Sequence, residues 1–303
     1  MPWLELRIHT DKTQVSEYEE TLEKSDALAV TYADAGDQPI LEPEAGSMPL
    51  WKNVVVIGLF DAAVDTNRVE TSIRDVDPTA SLRWDILEDK IWEREWLKHH
   101  QPQKFGNAFW VYHEPVEDDL STLLLDPGLA FGTGTHPTTA LCLEWISQRS
   151  LRDKTVVDFG CGSGILAVAS ILRGAKSAIC VDLDAQALQA TRKNAQRNHI
   201  SDEQLKVYFP NNEPKNLSDI LIANILAKPL MQLANSFATK ISAGGSMCLS
   251  GILVGQEAEI VEQYQPWFDS IQTECVDDWV RISGVRNRQL AARESIVLEM
   301  QAS

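Results

Sequence analysis

Positive charge is scarce in this 303-residue chain: 27 lysines and arginines face 44 aspartates and glutamates, a formal net charge of −17. Such a field repels a phosphate backbone, and no basic, aromatic-interleaved stretch offsets it, so a nucleic-acid partner is disfavoured and a basic one favoured. Long apolar runs are missing too. Nothing approaches the roughly 18 consecutive apolar residues of a membrane helix, and Met1-Pro2-Trp3-Leu4-Glu5 has no basic segment ahead of an apolar one. The expected compartment is therefore the cytoplasm, with no membrane partner. The cysteines, Cys142, Cys161, Cys180, Cys248 and Cys275, form no C-x-x-C pair, which argues against both a zinc site and a disulfide framework. The six histidines, His99 and His100 among them, show no ligand spacing either, so no metal is expected. Repeats and low-complexity tracts are absent.

What is present is an ordinary globular composition, 44% hydrophobic and 23% charged, in a length that suits two domains. The charge is uneven: residues 1–87 hold 17 acids and 7 bases, a net −10, which makes this segment a candidate docking face for a cation-rich partner. Within it, alternation over Trp3 to Ile8, helical spacing of Val15, Tyr18 and Leu22, strand runs at Ala27 to Tyr32 and Val54 to Phe60, a helical face of Val69, Ile73 and Val76, and a last strand near Leu82 to Leu87 spell βαββαβ. That order predicts a small α+β, ferredoxin-like domain. Residues 88–104 read as a charged linker helix, with Trp92 and Trp96 at i, i+4 packing between the domains. From 105 to about 290 strands alternate with helices, the pattern of a doubly wound α/β domain with a mostly parallel sheet; 291–303 form a tail.

Four features of the second domain carry chemistry. Thr155 to Phe159 is a buried-strand run that breaks into Gly160-Cys161-Gly162-Ser163-Gly164 before a helix over Ile165 to Leu172. Glycines at i, i+2 and i+4 let the backbone turn sharply and approach a nucleotide where a Cβ would collide. The next strand, Ser177 to Val181, delivers Asp182, 18 residues after Gly164, where a carboxylate can accept both ribose hydroxyls; Asp184 reads instead as the cap of the following helix. A third strand, Ser218 to Leu226, brings Asn224 to its carboxyl end, the edge at which open α/β sheets bind ligands. A fourth segment, Leu125 to Thr139, packs three glycines into seven residues and then Pro137 at a first helical position. Such a loop can fold over a bound ligand, which makes Phe131, Gly132 and Thr133 candidate contacts. His136 beside the helix start reads as a hydrogen-bonded structural group rather than a general base.

Taken together, Asp126-Pro127-Gly128 through Thr139, Asp158 through Gly164 and Ala223-Asn224-Ile225-Leu226 resemble the bacterial methyltransferases of large-subunit ribosomal protein eleven, and Trp92 to Trp96 and Trp279 to Gly284 extend the likeness over nearly the whole chain. The glycine turn and Asp182 alone would indicate only a class I S-adenosylmethionine enzyme; the first loop adds the specificity. The resemblance implies an N-terminal substrate-recognition domain, a mobile linker and a Rossmann-like, seven-stranded methyltransferase domain with one antiparallel strand. It places Thr139, Gly160, Asp182 and Asn224 at positions that contact S-adenosyl-L-methionine, with Asp158, Gly162 and Gly164 shaping the same pocket. The tail after about Leu290 departs from the family by its length. The implied reaction is N-methylation of amines on that basic ribosomal protein, with S-adenosyl-L-homocysteine as product and Asn224 as the candidate catalytic residue. The rival is a small-molecule or other-protein methyltransferase on the same fold.

Overall fold

The computed structural model describes residues 3–36, 40, 49–87, 101–126 and 134–288. The chain divides into two compact units, Met1–His99 and His100–Ser303.

In the first unit, β1 (Trp3–Asp11), α1 (Val15–Lys24), β2 (Ala29–Asp34), β3 (Asn53–Asp61), α2 (Thr66–Val76) and β4 (Leu82–Leu87) follow in the order read from the sequence. The sheet runs β2-β3-β1-β4 with every neighbour antiparallel, the ferredoxin-like arrangement. Alternation explains its core: Leu6 and Ile8 of β1 and Val54, Val56 and Phe60 of β3 face one side, where Val15, Tyr18 and Leu22 of α1 and Val69 and Ile73 of α2 cover them. Val76, expected on that face, is instead 37% exposed, because α2 ends there and Asp77 leaves the helix with extended backbone. The Tyr18 hydroxyl donates to Asp77 at 2.6 Å, tying α1 to the end of α2.

The second unit opens with a small sheet that periodicity did not indicate: β5 (Gln103–Phe105), β6 (Phe109–Tyr112) and β7 (Ser121–Leu124). Gln103 and Lys104, assigned to the linker helix from sequence, are thus strand; residues 88–100 of that helix and the tail lie outside the described residues. Then come α3 (Pro137–Ser147), β8 (Thr155–Phe159), α4 (Ile165–Leu172), β9 (Ser177–Val181), α5 (Ala185–Arg197), β10 (Leu205–Tyr208), β11 (Ser218–Asn224), α6 (Ala227–Lys240), β12 (Ile241–Leu253), α7 (Glu257–Tyr264), β13 (Phe268–Val276) and β14 (Trp279–Arg286). They build a seven-stranded sheet, β10-β9-β8-β11-β12-β14-β13, in which β14 alone is antiparallel to its neighbours β12 and β13. One face packs against α3, α4 and α5, the other against α6 and α7. Strand order reverses beside β8, so the loops after β8 and β11 part there and leave a crevice at the carboxyl edge. Among the described residues, no helix is long and apolar enough to cross a membrane.

Candidate active site

After β8 the backbone reverses through Gly160, Gly162 and Gly164 at φ of +73°, +53° and +78°, a region that side-chain-bearing residues enter at a cost of about 1–2 kcal/mol each. Space is equally restrictive: a Cβ on Gly160 would stand 2.2 Å from Ile225 Cγ2, and one on Gly164 2.7 Å from Thr191 Cγ2. The Gly160 and Cys161 amides both donate to the Val181 carbonyl, at 2.7 and 3.1 Å, which hangs the turn on the end of β9. Gly164 caps α4 without a side chain, and Asp158 substitutes from inside β8, one oxygen accepting from the Ala167 amide at 3.0 Å. Its other oxygen has no partner. Complete burial, with the nearby Asp182 charge adding to it, pushes the Asp158 carboxyl up to about 7.

Asp182 stands at the end of β9, facing the turn. One oxygen accepts from Gly162 N at 2.9 Å and the other from Asp184 N at 3.0 Å; each keeps a lone pair for a ligand hydroxyl. Asp184 itself caps α5 through the Gln186 amide at 2.8 Å, as expected from its place before the helix.

Asn224 ends β11. The cap of α6 is Leu226, with no side-chain bond, so capping does not explain the amide. Its nitrogen donates instead to Thr139 Oγ1 at 3.2 Å, on a threonine that is 1% exposed. Thr139 lies in the first turn of α3, which starts at Pro137 after the cap His136. His136 Nδ1 accepts from the Thr138 amide and lies 2.8 Å from its hydroxyl, while the ring meets Trp279 edge-on, centroids 4.9 Å apart. Burial lowers the His136 pKa, and Nδ1 must be unprotonated to cap, so the ring is a neutral structural group here.

The structure therefore brings Asp158, Gly160, Gly162, Gly164 and Asp182 around one turn, and Asn224 with Thr139 beside it; the Gly160–Ile225 contact joins the two groups. Phe131, Gly132 and Thr133 lie outside the described residues. The three glycines let a ligand lie close against the backbone of the turn, and Asp182 offers acceptors for hydroxyls. Sequence reading missed the residues that brace this turn. On α5, Thr191 donates to Gly162 O at 3.0 Å, and Asn194 donates to Ser163 O at 2.8 Å. The signal was available: with Ala187, Leu188 and Ala195 they share the buried stripe of an amphipathic helix, and polar side chains on that stripe need partners.

Comparison with known proteins gives a consistent picture. The family model of ribosomal protein L11 methyltransferase (PrmA) matches residues 2–287. A ribosomal protein L11 methyltransferase of Hahella chejuensis is 46% identical over 290 residues, 94% of this chain and 99% of that one. One of Teredinibacter turnerae is 44% identical over 299 residues, 97% and 100%. Among solved structures, the ribosomal protein L11 methylase from Lactobacillus delbrueckii subsp. bulgaricus superimposes with a TM-score of 0.56 at 29% identity, over 62% of this chain and all of that one.

Proposed function

Because the chain belongs to the ribosomal protein L11 methyltransferase family, we propose that it transfers methyl groups from S-adenosyl-L-methionine to amino groups of ribosomal protein L11, on lysine side chains or the N-terminal α-amine, and releases S-adenosyl-L-homocysteine. Its second unit carries the class I methyltransferase fold. Asp182 would hold the donor's ribose, the turn from Gly160 to Gly164 its methionine end, and the loop with Phe131, Gly132 and Thr133 would complete the pocket. The fit rests on two features: a turn that three left-handed glycines, Gly160, Gly162 and Gly164, bend tightly at the carboxyl edge of the sheet, and a carboxylate on Asp182 beside it that keeps a lone pair on each oxygen for a ligand hydroxyl. When bound, the donor supplies a methyl group already activated on a sulfonium.

The protein's task is then to hold the amine in line with the methyl carbon and to exclude water. A lysine ammonium of pKa about 10.4 must first lose its proton, at a cost of about 4.6 kcal/mol at pH 7, whereas an α-amine near 7.8 costs only about 1 kcal/mol. A carboxylate beside the amine would raise that cost by stabilising the ammonium. Asn224 offers a neutral acceptor instead. With its nitrogen engaged by Thr139, its carbonyl oxygen is the arm that accepts an amine N–H and turns the lone pair toward the methyl group, helped by the backbone carbonyls that follow. The Asn224–Thr139 bond beside the glycine turn is the observation that carries this reading.

Residues 1–87 serve as the substrate-recognition domain, their net −10 suited to a basic protein; the compartment is the cytoplasm, where ribosomal proteins are made. Incubation with radiolabelled S-adenosyl-L-methionine and a panel of purified ribosomal proteins should place the label on L11 amines. Label on RNA, on a small molecule, or on another protein in preference to L11 would overturn the assignment.

A further inference from the structure

The bracing of the glycine turn continues into a second segment of the chain. Asn194 is fully buried. Its amide donates through Nδ2 to Ser163 O at 2.8 Å and accepts through Oδ1 from Asp126 N at 2.9 Å. One side chain thus joins the cofactor turn to the residue at which the chain enters 127–133. Gly134, on the far border of that segment, lies near the start of α4, where a Cβ added to it would stand 3.4 Å from Ile165 Cδ1. Asn198, one turn on from Asn194, is different: both arms of its amide grip Leu124, accepting from N at 2.9 Å and donating to O at 2.7 Å, and none of its bonds reaches the turn.

Only an amide of this length offers a donor and an acceptor on two arms of one rigid plane. A carboxylate would set an oxygen against the Ser163 carbonyl, and alanine would remove both hydrogen bonds, the buried one to Ser163 and the partly buried one from Asp126, each worth about 0.5–1.5 kcal/mol. We propose that Asn194 is a positioning residue for donor binding: by tying Ser163 to Asp126 it fixes the glycine turn against the entry of the neighbouring loop, and thereby sets the affinity for S-adenosyl-L-methionine. The inference rests on the reading of the turn as the donor site and names a residue outside that site which controls it.

Calorimetric titration of the full-length protein with S-adenosyl-L-homocysteine, at a temperature where each variant is folded, separates this from general destabilisation. Wild type and Asn198→Ala should bind within about threefold of each other. Asn194→Ala and Asn194→Asp should bind at least about tenfold more weakly, the equivalent of about 1.4 kcal/mol or one hydrogen bond. In turnover assays the Asn194 loss should sit in the KM for donor, with kcat at saturating donor largely recovered. Should Asn194→Ala not fold, Asn194→Asp, which keeps the shape and the acceptor for Asp126 N–H, decides alone. Affinity within threefold of wild type in the Asn194 variants, or an equal loss in Asn198→Ala, overturns the proposal. No binding by wild type would instead remove the donor reading on which it stands.

Discussion

Asp158 shows how much one buried group can couple to pH. Its carboxyl is fully buried with one oxygen unpartnered, and its pKa is pushed up to about 7 against an ordinary 3.8. The native fold therefore binds this proton more tightly than the unfolded chain does, so the group's stabilising contribution is complete below about pH 4, declines as pH rises and is lost above about 7. Between pH 5 and 8 the decline amounts to about 3 kcal/mol at 1.36 kcal/mol per unit, enough to move Tm by several degrees. Thermal melts of the donor-free protein should fall across that range in wild type and stay flatter in Asp158→Asn, whose neutral amide can still accept from Ala167 N–H. Parallel pH profiles would show that burial does not govern this carboxyl. Asn224 makes the complementary case for a neutral group. Asn224→Ala should lower kcat by about 100-fold, the usual size of losing one aligned polar contact, while Asn224→Asp should in addition shift the kcat profile to higher pH by stabilising the substrate ammonium. Wild-type turnover in Asn224→Ala would remove the residue from the reaction.

At the level of elements, the strands that carry the site were legible because each is a run of apolar residues with its functional group at its end or one step past it: Thr155–Phe159 before the turn, Ser177–Val181 before Asp182, and Ser218–Asn224 ending on the amide. Both helices of the first unit could likewise be read from their spacing of Val, Tyr, Leu and Ile. What periodicity left unread were the shortest strands and the closest backbone approaches. The small sheet of β5, β6 and β7 is built from strands of three or four residues, too short for alternation to register. Gly251 is a similar case, an unremarkable glycine in a strand until its surroundings are seen: at φ +83° it leaves only 2.3 Å between a Cβ position and the Ile225 carbonyl oxygen. Its hydrogen lets β12 lie against the peptide that follows Asn224. Gly251→Ala should cost about 2–4 kcal/mol, as strain and collision with rigid backbone add, and should lower kcat in the folded fraction more than it weakens donor binding. A variant with wild-type Tm and kcat would mean that β12 and the Asn224 loop adjust independently.

Across the whole molecule, charge and division of labour make a joint expectation. The first 87 residues carry a net −10 of the total −17, and a basic ribosomal protein approaching this surface is attracted over a range set by the Debye length, about 10 Å at 0.1 M salt and 3 Å at 1 M. Attraction between exposed charges speeds encounter and lowers KM; it has no part in the alignment of an amine with a methyl group beside Asn224. Raising salt from about 0.05 M to about 0.5 M should therefore raise the KM for L11 by tenfold or more while leaving kcat at saturation and the Kd for S-adenosyl-L-homocysteine nearly unchanged, because salt screens the attraction between separated exposed charges far more than short-range hydrogen bonds at the turn. Removing residues 1–87 should abolish methylation of intact L11 yet preserve donor binding, since the second unit holds the turn, Asp182, Asn224 and Thr139 and packs two hydrophobic layers of its own. The two results must agree. If the truncated protein still methylates L11 with undiminished salt dependence, the attraction resides in the catalytic unit and the acidic N-terminal segment has another role. If it methylates L11 without salt dependence at the wild-type rate, recognition of the substrate does not depend on charge at all.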